Sequence, residues 1–493
     1  MAYIVSIDQS TSGTKGLVWN GDGTLLGRAD VPHRQITNDK GWVSHDLNEI
    51  YSNSIKAVKL AIEKAGIDPD DVCVLGISNQ RETAAAWNRK TGEPFCDAVV
   101  WQCSRAAQLI HEIEYPGLKD DVLKTTGLYL SPYFSAAKFA WILRNCSEAA
   151  AAQSRGDFCC GTIDSWLVYR FTGGKSFKTD YSNASRTQLL DLNTLQWSRP
   201  LMELFGIEPD SLPQICFSDS CFGQTSLDGL FKKPIPIHGV LGDSHAALFA
   251  NRCLEPFSAK ATYGTGSSVM MNCGKNRPTP KEGIVTSLAW GMQGSVDYVL
   301  EGNINYTGAV IKWLAEEMEL ISSPKEAAIL AASVNDNGGV YLVPAFSGLG
   351  APWFRDSVRA AVIGLNRSSR KAHLVRAAEE CIAYQIRDVT EIIKASISRP
   401  FSSLRLDGGP TADQFLMQFQ ADILGMDLFI NNTTELSGAG AAYCAAAGIG
   451  IASAETLFKH GSFRAVHPAM DEIQREKLYQ GWKKAVASVA SSD

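Results

Sequence analysis

The chain has 493 residues, 45% hydrophobic and 20% charged, an ordinary globular composition that excludes a disordered, collagenous or coiled-coil protein. Its 46 lysines and arginines face 52 aspartates and glutamates, a formal net charge of −6, so no basic surplus exists to condense on nucleic acid or anionic lipid. The length suits about three domains, or two large α/β ones.

The N-terminus has no basic segment and no long apolar core, and reads as an opening strand, not a signal peptide. Tyr3 to Asp8 is apolar and β-prone, Gln9-Ser10-Thr11-Ser12-Gly13 is a small polar turn, and Thr14 to Trp19 resumes the strand. Asn20-Gly21-Asp22-Gly23 signals a hairpin into a third strand at Leu25-Leu26. A helix follows, with Ile55, Val58, Ile62 and Ala65 on one face and Gly66 as its stop. Val72 to Ile77 is then a short buried strand running into Ser78-Asn79-Gln80-Arg81-Glu82. Meander, helix and buried strand make an α/β arrangement.

The pattern returns in the second half. Ala259 to Tyr263 is strand-like, Gly264-Thr265-Gly266-Ser267 is a turn, and Ser268 to Met271 resumes. Ser403 to Asp407 is a strand that delivers Gly408-Gly409-Pro410, and Phe415, Phe419 and Ile423 mark the next helix. The boundary between two related halves falls near residue 250, in Asn251 to Ser258, with a shared cleft between them. Asp471 to Val486 reads as a surface-packed helix. The small, apolar stretch Gly438 to Ala452 is too short to span a bilayer. The 12 cysteines are scattered without a C-x-x-C pair, the pattern of reduced thiols in a cytosolic protein.

Two common nucleotide motifs are missing: Tyr169 stands where a P-loop ending in Gly174-Lys175-Ser176 needs glycine, and Gly348-Leu349-Gly350 runs into Ala351-Pro352-Trp353. What remains is a pair of hydroxyl-rich turns. In Asp8 to Lys15, successive N–H groups and hydroxyls can converge on an anion, Lys15 adds charge, and Asp8 suits a hydrated Mg2+. Gly264-Thr265-Gly266 lets a backbone approach a phosphate closely, because glycine has no Cβ. One such turn alone reads more readily as a hairpin that needs small residues, whereas both turns together with Asp407-Gly408-Gly409 favour the phosphate reading. Asp243, at a strand end before Ala246 to Ala250, is either a helix cap or a catalytic base. His245 lacks metal-ligand spacing and reads as a packed or hydrogen-bonded histidine. Arg81-Glu82 is either a surface ion pair or a polar clamp at a strand's C-terminal end.

These residues carry a resemblance. Tyr133 to Asn145 fits the first signature of the FGGY carbohydrate kinases, and Ala360 to Glu380 fits the second, with Glu379 at a usually apolar place. Ser78 to Thr83, Val100 to Cys103, Thr179 to Thr187, Val343 to Pro352 and Phe415 to Gln420 are most similar to the glycerol-phosphorylating members. The resemblance implies an α/β fold of two ribonuclease-H-like domains, as in actin and hexokinase, flanking a catalytic cleft. Residues 1–250 would bind polyol or sugar and carry the base, and residues 251–493 would bind nucleotide.

It also implies ATP and Mg2+, with Asp8 holding the metal through water. Thr11, Ser12 and Lys15 would face the transferred phosphoryl group, and Gly264 and Thr265 the phosphates from the other domain. Gly308, Lys312, Gly409 and Asp413 would hold the nucleotide, although the family usually has amides at the places of Lys312 and Asp413. Arg81, Glu82, Trp101, Tyr133 and Asp243 would bind the polyol, with Asp243 the catalytic base. Ser244 and Ser268 stand where the glycerol-phosphorylating members have glutamine and phenylalanine, which widens the pocket and makes it more polar.

The expected reaction is ATP-dependent phosphorylation of a terminal hydroxyl of glycerol or a similar small polyol or sugar. The alternative acceptor is a four- or five-carbon polyol or ketose. A different class, an actin-like ATP switch, would share the turns but has no use for Arg81, Glu82, Trp101 and Tyr133 beside Asp243. The expected setting is cytoplasmic, with no nucleic acid or membrane partner and the homodimers or homotetramers common in such families.

Overall fold

The computed structural model describes residues 3–491 apart from 356, 398, 400, 459 and 460. The first three strands, β1 (Tyr3–Gln9), β2 (Gly13–Trp19) and β3 (Leu25–Pro32), form an antiparallel meander. Helix α1 (Leu47–Ala65) begins where the Asp46 carboxylate accepts the Asn48 and Glu49 N–H groups, and ends at Gly66 with φ 66°. Its buried face includes Ile50, Val58 and Ile62, and it packs on β2 and β3. A Cβ on Gly16 would stand 2.3 Å from the Ala57 carbonyl oxygen, so glycine permits this close layer. Strand β4 (Val72–Asn79) runs parallel to β1. Strands β5 (Gly223–Thr225) and β6 (Ile235–Gly242) complete a six-stranded sheet in the order β5-β6-β4-β1-β2-β3.

Helix α2 (Asp243–Ala250) leads from this sheet to a second one. Strands β7 (Ala259–Tyr263), β8 (Ser267–Gly274), β9 (Val285–Met292) and β10 (Ser295–Ile304) are followed by helices α3 (Gly308–Glu316) and α4 (Lys371–Ser396). Then come β11 (Ser403–Gly408), α5 (Gln414–Leu424), β12 (Asp427–Asn431), α6 (Leu436–Gly448), β13 (Phe463–Val466) and α7 (Glu472–Ala490). The seven strands lie in the order β9-β10-β8-β7-β11-β12-β13. In both sheets an antiparallel meander is flanked by a parallel crossover strand, β4 beside β1 and β11 beside β7.

The two halves exchange helices. Helix α2 packs Ala246 and Phe249 into a core with Met270, Val299 and Trp290 of the second half. Helix α6 lies on β1, β4 and β6 of the first sheet. Its small residues bring it backbone to backbone with the sheet and with α2: a Cβ on Gly76 would meet the Ala441 carbonyl oxygen at 2.6 Å, and one on Gly440 the Ala246 oxygen of α2 at 2.0 Å. The apolar stretch therefore serves as an internal layer between the halves.

Helix α7 differs from its sequence reading. Ile473 is 85% exposed, but Trp482 is fully buried and stacks on Tyr384 at 5.4 Å. The buried Asp388 carboxylate accepts from the Tyr479 hydroxyl at 2.6 Å and the Trp482 indole at 2.8 Å. The helix is thus half sunk into the second core, anchored by a polar group that amphipathic spacing does not reveal. All twelve cysteines are free, and no helix among the described residues is long and apolar enough to cross a membrane.

Candidate active site

Strand register sets the site. In the first sheet Asp8 sits between Lys15 on β2 and Ser78 on β4. In the second, Thr262 sits between Ser268 on β8 and Asp407 on β11, and Ser268 pairs in turn with Asn303. Two residues back, the row continues with Lys260, Met270 and Glu301 on the same face, because side chains alternate with period two. A cavity of about 740 Å3 opens between the two rows, bordered by Asp8 and Lys15 on one side and by Lys260, Thr262 and Asp407 on the other. Asp243 and Ser244 from α2, Glu435 before α6, and Gly408-Gly409 complete its rim.

Asp243 is the first residue of α2 and makes no cap to its own helix end beyond accepting the Ser244 N–H at 2.6 Å. Its carboxylate meets Arg81 Nε at 3.2 Å and its side chain stays 33% exposed, so it is held from behind and open to the cavity in front. On the same cavity, burial pushes the Asp8 carboxyl up to about 6, with Lys15 pulling the other way. Ser78 donates to Asp8 at 3.2 Å, and Lys15 Nζ stands 3.7 Å away. Burial opposes the charge on Lys15, but Asp8 and Glu435 outweigh it and hold the ammonium above its ordinary value.

Behind Asp243 lies a buried chain of charges. Arg81 donates to both oxygens of Glu301, at 3.0 and 2.9 Å, and Arg186 stands 3.0 Å from Glu301 and 2.6 Å from Glu82. Burial disfavours ionised Glu301, but Arg186 and Arg81 prevail and hold its carboxyl well below the usual range. A fully desolvated pair of this kind depends on bidentate geometry to offset its dehydration. Arg81 and Glu82 are therefore neither a surface pair nor paired with each other. Glu82 has φ 59°, a strained conformation for a non-glycine residue, which turns it toward Arg186.

The other expected residues fall into three groups. Trp101 packs edge-on against Tyr133 with ring centroids 5.7 Å apart, and its indole N–H donates to Thr11 Oγ1 at 2.9 Å. That bond ties the aromatic wall to the first turn, whose Ser12 is exposed. Burial raises the Tyr133 hydroxyl's pKa, and Lys138 donates to the Tyr133 carbonyl from a buried position. Gly264 and Thr265 are brought against α3: Gly308 N–H donates to the Gly264 carbonyl at 3.0 Å, and a Cβ on Gly308 would meet that oxygen at 2.5 Å. Gly409 borders the cavity, and a Cβ there would have nothing within 4 Å, which leaves its backbone open to a ligand.

Lys312 and Asp413 stand apart from that wall. Lys312 is 68% exposed beside Glu316 at 3.5 Å, and Asp413 caps α5 by accepting the Leu416 N–H at 3.0 Å. Ser244 borders the cavity, whereas the Ser268 hydroxyl is buried without a hydrogen-bond partner. His245 is fully buried with both ring nitrogens unpartnered, and burial, with Arg81 beside it, holds it neutral. It is packed, not hydrogen-bonded.

Sequence reasoning missed Glu301, Arg186, Lys260 and Glu435. A charged residue directly after the apolar run Tyr298 to Leu300 was a signal for Glu301, and Arg186 lies within the family-like run Thr179 to Thr187. Nothing local marked Lys260, which is fully buried and donates to Thr262 at 2.5 Å, or Glu435.

Residues 3–250 match the N-terminal domain model of the FGGY family of carbohydrate kinases, and residues 259–449 match its C-terminal domain model. The chain is 45% identical over 486 residues to glycerol kinase 1 of Thermotoga maritima, covering 98% of this chain and 99% of that protein. It is 41% identical to glycerol kinase of Caldanaerobacter subterraneus subsp. tengcongensis, covering 98% of each. Plasmodium falciparum glycerol kinase, solved with ADP, superposes with a TM-score of 0.92 at 32% identity, over 99% of this chain and 98% of that one. A xylulose kinase from Lactobacillus acidophilus shares the fold alone, with a TM-score of 0.89 at 18% identity over 100% and 99% of the two chains.

Proposed function

The chain belongs to the FGGY family of carbohydrate kinases, and from that premise we propose the part each side chain takes in its ATP-dependent phosphorylation of glycerol or a similar small polyol. The observation that carries the reading is the open cavity that Asp243 shares with Asp8 and Lys15. In this reading residues 1–250 supply the polyol side and the base, and residues 251–493 the nucleotide side.

Asp243 accepts a hydrogen bond from the terminal hydroxyl, aims its oxygen at the phosphorus and takes the proton late, because a loose phosphoryl transition state needs little prior deprotonation. Arg81, fixed by Glu301, keeps the carboxylate turned to the cavity. Trp101 and Tyr133 press on carbon, while Arg81 and Glu82 offer polar edges to the remaining hydroxyls. Lys15, Thr11 and Ser12 face the phosphoryl oxygens, and the Gly264-Thr265 turn and Gly409 present bare backbone to the nucleotide phosphates. Lys312, largely exposed, and Asp413, half-buried, act at the nucleotide's outer edge.

Asp8 fits a hydrated Mg2+: it is one buried carboxylate beside the Ser78 hydroxyl and an open cavity. When bound, the metal neutralises charge on the phosphate oxygens. Closure of the halves excludes water, the competing acceptor.

A second reading, a four- or five-carbon polyol or ketose as preferred acceptor, is favoured by Ser268. Its buried hydroxyl has no partner and lies by register between Thr262 at the cavity and the strand of Glu301 that grips Arg81. A matching substrate hydroxyl would satisfy it. ADP release measured with glycerol, tetritols, pentitols and ketoses tests both. Turnover of ATP that no acceptor stimulates overturns the kinase assignment. A kcat/KM for glycerol about tenfold or more above every larger acceptor overturns the second reading alone.

A further inference from the structure

We propose that Glu435 is a positioning residue for phosphoryl transfer, which keeps the Lys15 ammonium from collapsing onto Asp8. The inference rests on the reading above, in which Asp8 serves the metal and Lys15 the phosphoryl group.

Glu435 stands at the start of α6 in a left-handed conformation, φ 60° and ψ 45°, and its side chain makes no bond to its own helix. Glycine would adopt that backbone without strain, so a carboxylate kept here has a use for its direction. The carboxylate reaches across to the first sheet. Oε2 accepts from Lys15 Nζ at 2.6 Å, and Oε1 lies 2.6 Å from Arg28 Nη1. Arg28 is itself fixed by Asp30, with two bonds of 2.9 Å. Only 9% of the Glu435 side chain is exposed and both its oxygens are held, while the Lys15 and Arg28 side chains stay 30% and 43% exposed.

The consequence follows from distances. Lys15 and Asp8 are cross-strand neighbours on β2 and β1, an arrangement that favours a direct ion pair. They stand 3.7 Å apart, while Lys15 makes its short contact with Glu435. The competing carboxylate draws the ammonium aside. Asp8 keeps its oxygens for a cation, and Lys15 keeps donors free to face the cavity it borders. Without Glu435, the flexible four-carbon stem lets Lys15 settle on Asp8 and neutralise the group that the metal needs.

The test uses the full chain with Glu435→Gln, Glu435→Gly, Lys15→Met and the double variant Lys15→Met/Glu435→Gln. Steady-state kinetics, the Mg2+ concentration for half-maximal rate, Mg2+–ADP affinity by calorimetry and thermal melting are measured on each. We expect Glu435→Gln to lower kcat about 10-fold or more, to raise the Mg2+ requirement and to weaken Mg2+–ADP binding, with the polyol KM and melting temperature nearly unchanged. Glu435→Gly, freed of the left-handed strain, should melt no lower than wild type yet be as slow. In the Lys15→Met background, Glu435→Gln should change kcat by less than about twofold, because the residue it positions is gone.

The proposal is overturned if Glu435→Gln retains wild-type kcat and Mg2+ dependence. It is equally overturned if the loss is as large without Lys15 as with it. Lys15→Met at wild-type rate would instead strike the reading of Lys15 itself, and the present inference with it.

Discussion

Laid over one another by strand order, the two sheets answer one chemical problem with opposite materials. The row across the first reads Asp30, Lys15, Asp8, Ser78; the matching row across the second reads Asn303, Ser268, Thr262, Asp407. Where the first has a lysine beside an aspartate, the second has two hydroxyls, and its only acid has moved one strand over. The helices that follow show the same divergence. Asp243 opens α2 and is gripped by one arginine; Glu435 precedes α6 and is gripped by a lysine and an arginine. One topology thus supplies two acids at the rim of one cavity, one left open and one closed off by cations. The difference lies in their partners, not in the fold.

Four experiments press on that contrast. The largest effect is expected at the open acid: Asp243→Asn should lower kcat about 10^3-fold with the polyol KM within a few-fold, measured by coupled ADP release. An equal loss from Thr262→Val or Asp407→Asn would erase the asymmetry between the rows. Next is the brace behind it. Arg81→Met takes the bidentate partner from Glu301 and leaves the buried cluster of Glu82, Arg186 and Glu301 one positive charge short, and chemical denaturation should show a loss of about 3–5 kcal/mol. Restoring neutrality with Glu301→Gln in the same chain should recover part of that stability without recovering the polyol KM.

Asp8 sharpens the comparison through pH. Its folded carboxyl titrates at about 6 against an ordinary 3.8, chiefly because burial disfavours the charge. The folded protein therefore binds this proton more tightly than the unfolded chain. The stabilisation is complete at low pH and is lost as pH rises from about 4 through about 6. Asp8→Asn should flatten the metal-free melting curve against pH in that window and melt higher above it, while losing about 100-fold or more in kcat. In the wild type, Mg2+ should raise the melting temperature more at pH 7 than at pH 5. A uniform Mg2+ effect across that range would show the metal to be held elsewhere. The smallest effect is expected in the second row: Ser268→Ala removes an unsatisfied buried hydroxyl and should be neutral or stabilising by about 1 kcal/mol. Its readout is specificity, a drop in kcat/KM for larger acceptors relative to glycerol.

Much of this was legible in the chain, for reasons that are local. The two meanders, the turns at Gln9 to Gly13 and Gly264 to Gly266, and the glycine that ends α1 are written in contiguous residues. Asp243 was visible as an acid at a strand end, although its choice between cap and base needed coordinates. What stayed hidden depends on distance in sequence. Arg81 finds Glu301 across 220 residues and Lys15 finds Glu435 across 420, and no periodicity encodes such meetings. Lys312 and Asp413 are a middle case: their positions were readable, but that one lies beside Glu316 and the other caps α5 needed coordinates. Helix α7 was recognised, yet its depth of burial follows from Asp388 on a helix far upstream.

The glycine contacts beneath α6 give remoteness a chemical meaning here. Position 76 touches no ligand, yet a methyl group there would press on the Ala441 carbonyl and push the helix whose first turn carries Glu435. Gly76→Ala is thus a one-carbon lever: an alteration in the middle of a sheet that would reach Lys15 and the rim of the cleft by moving a rigid rod.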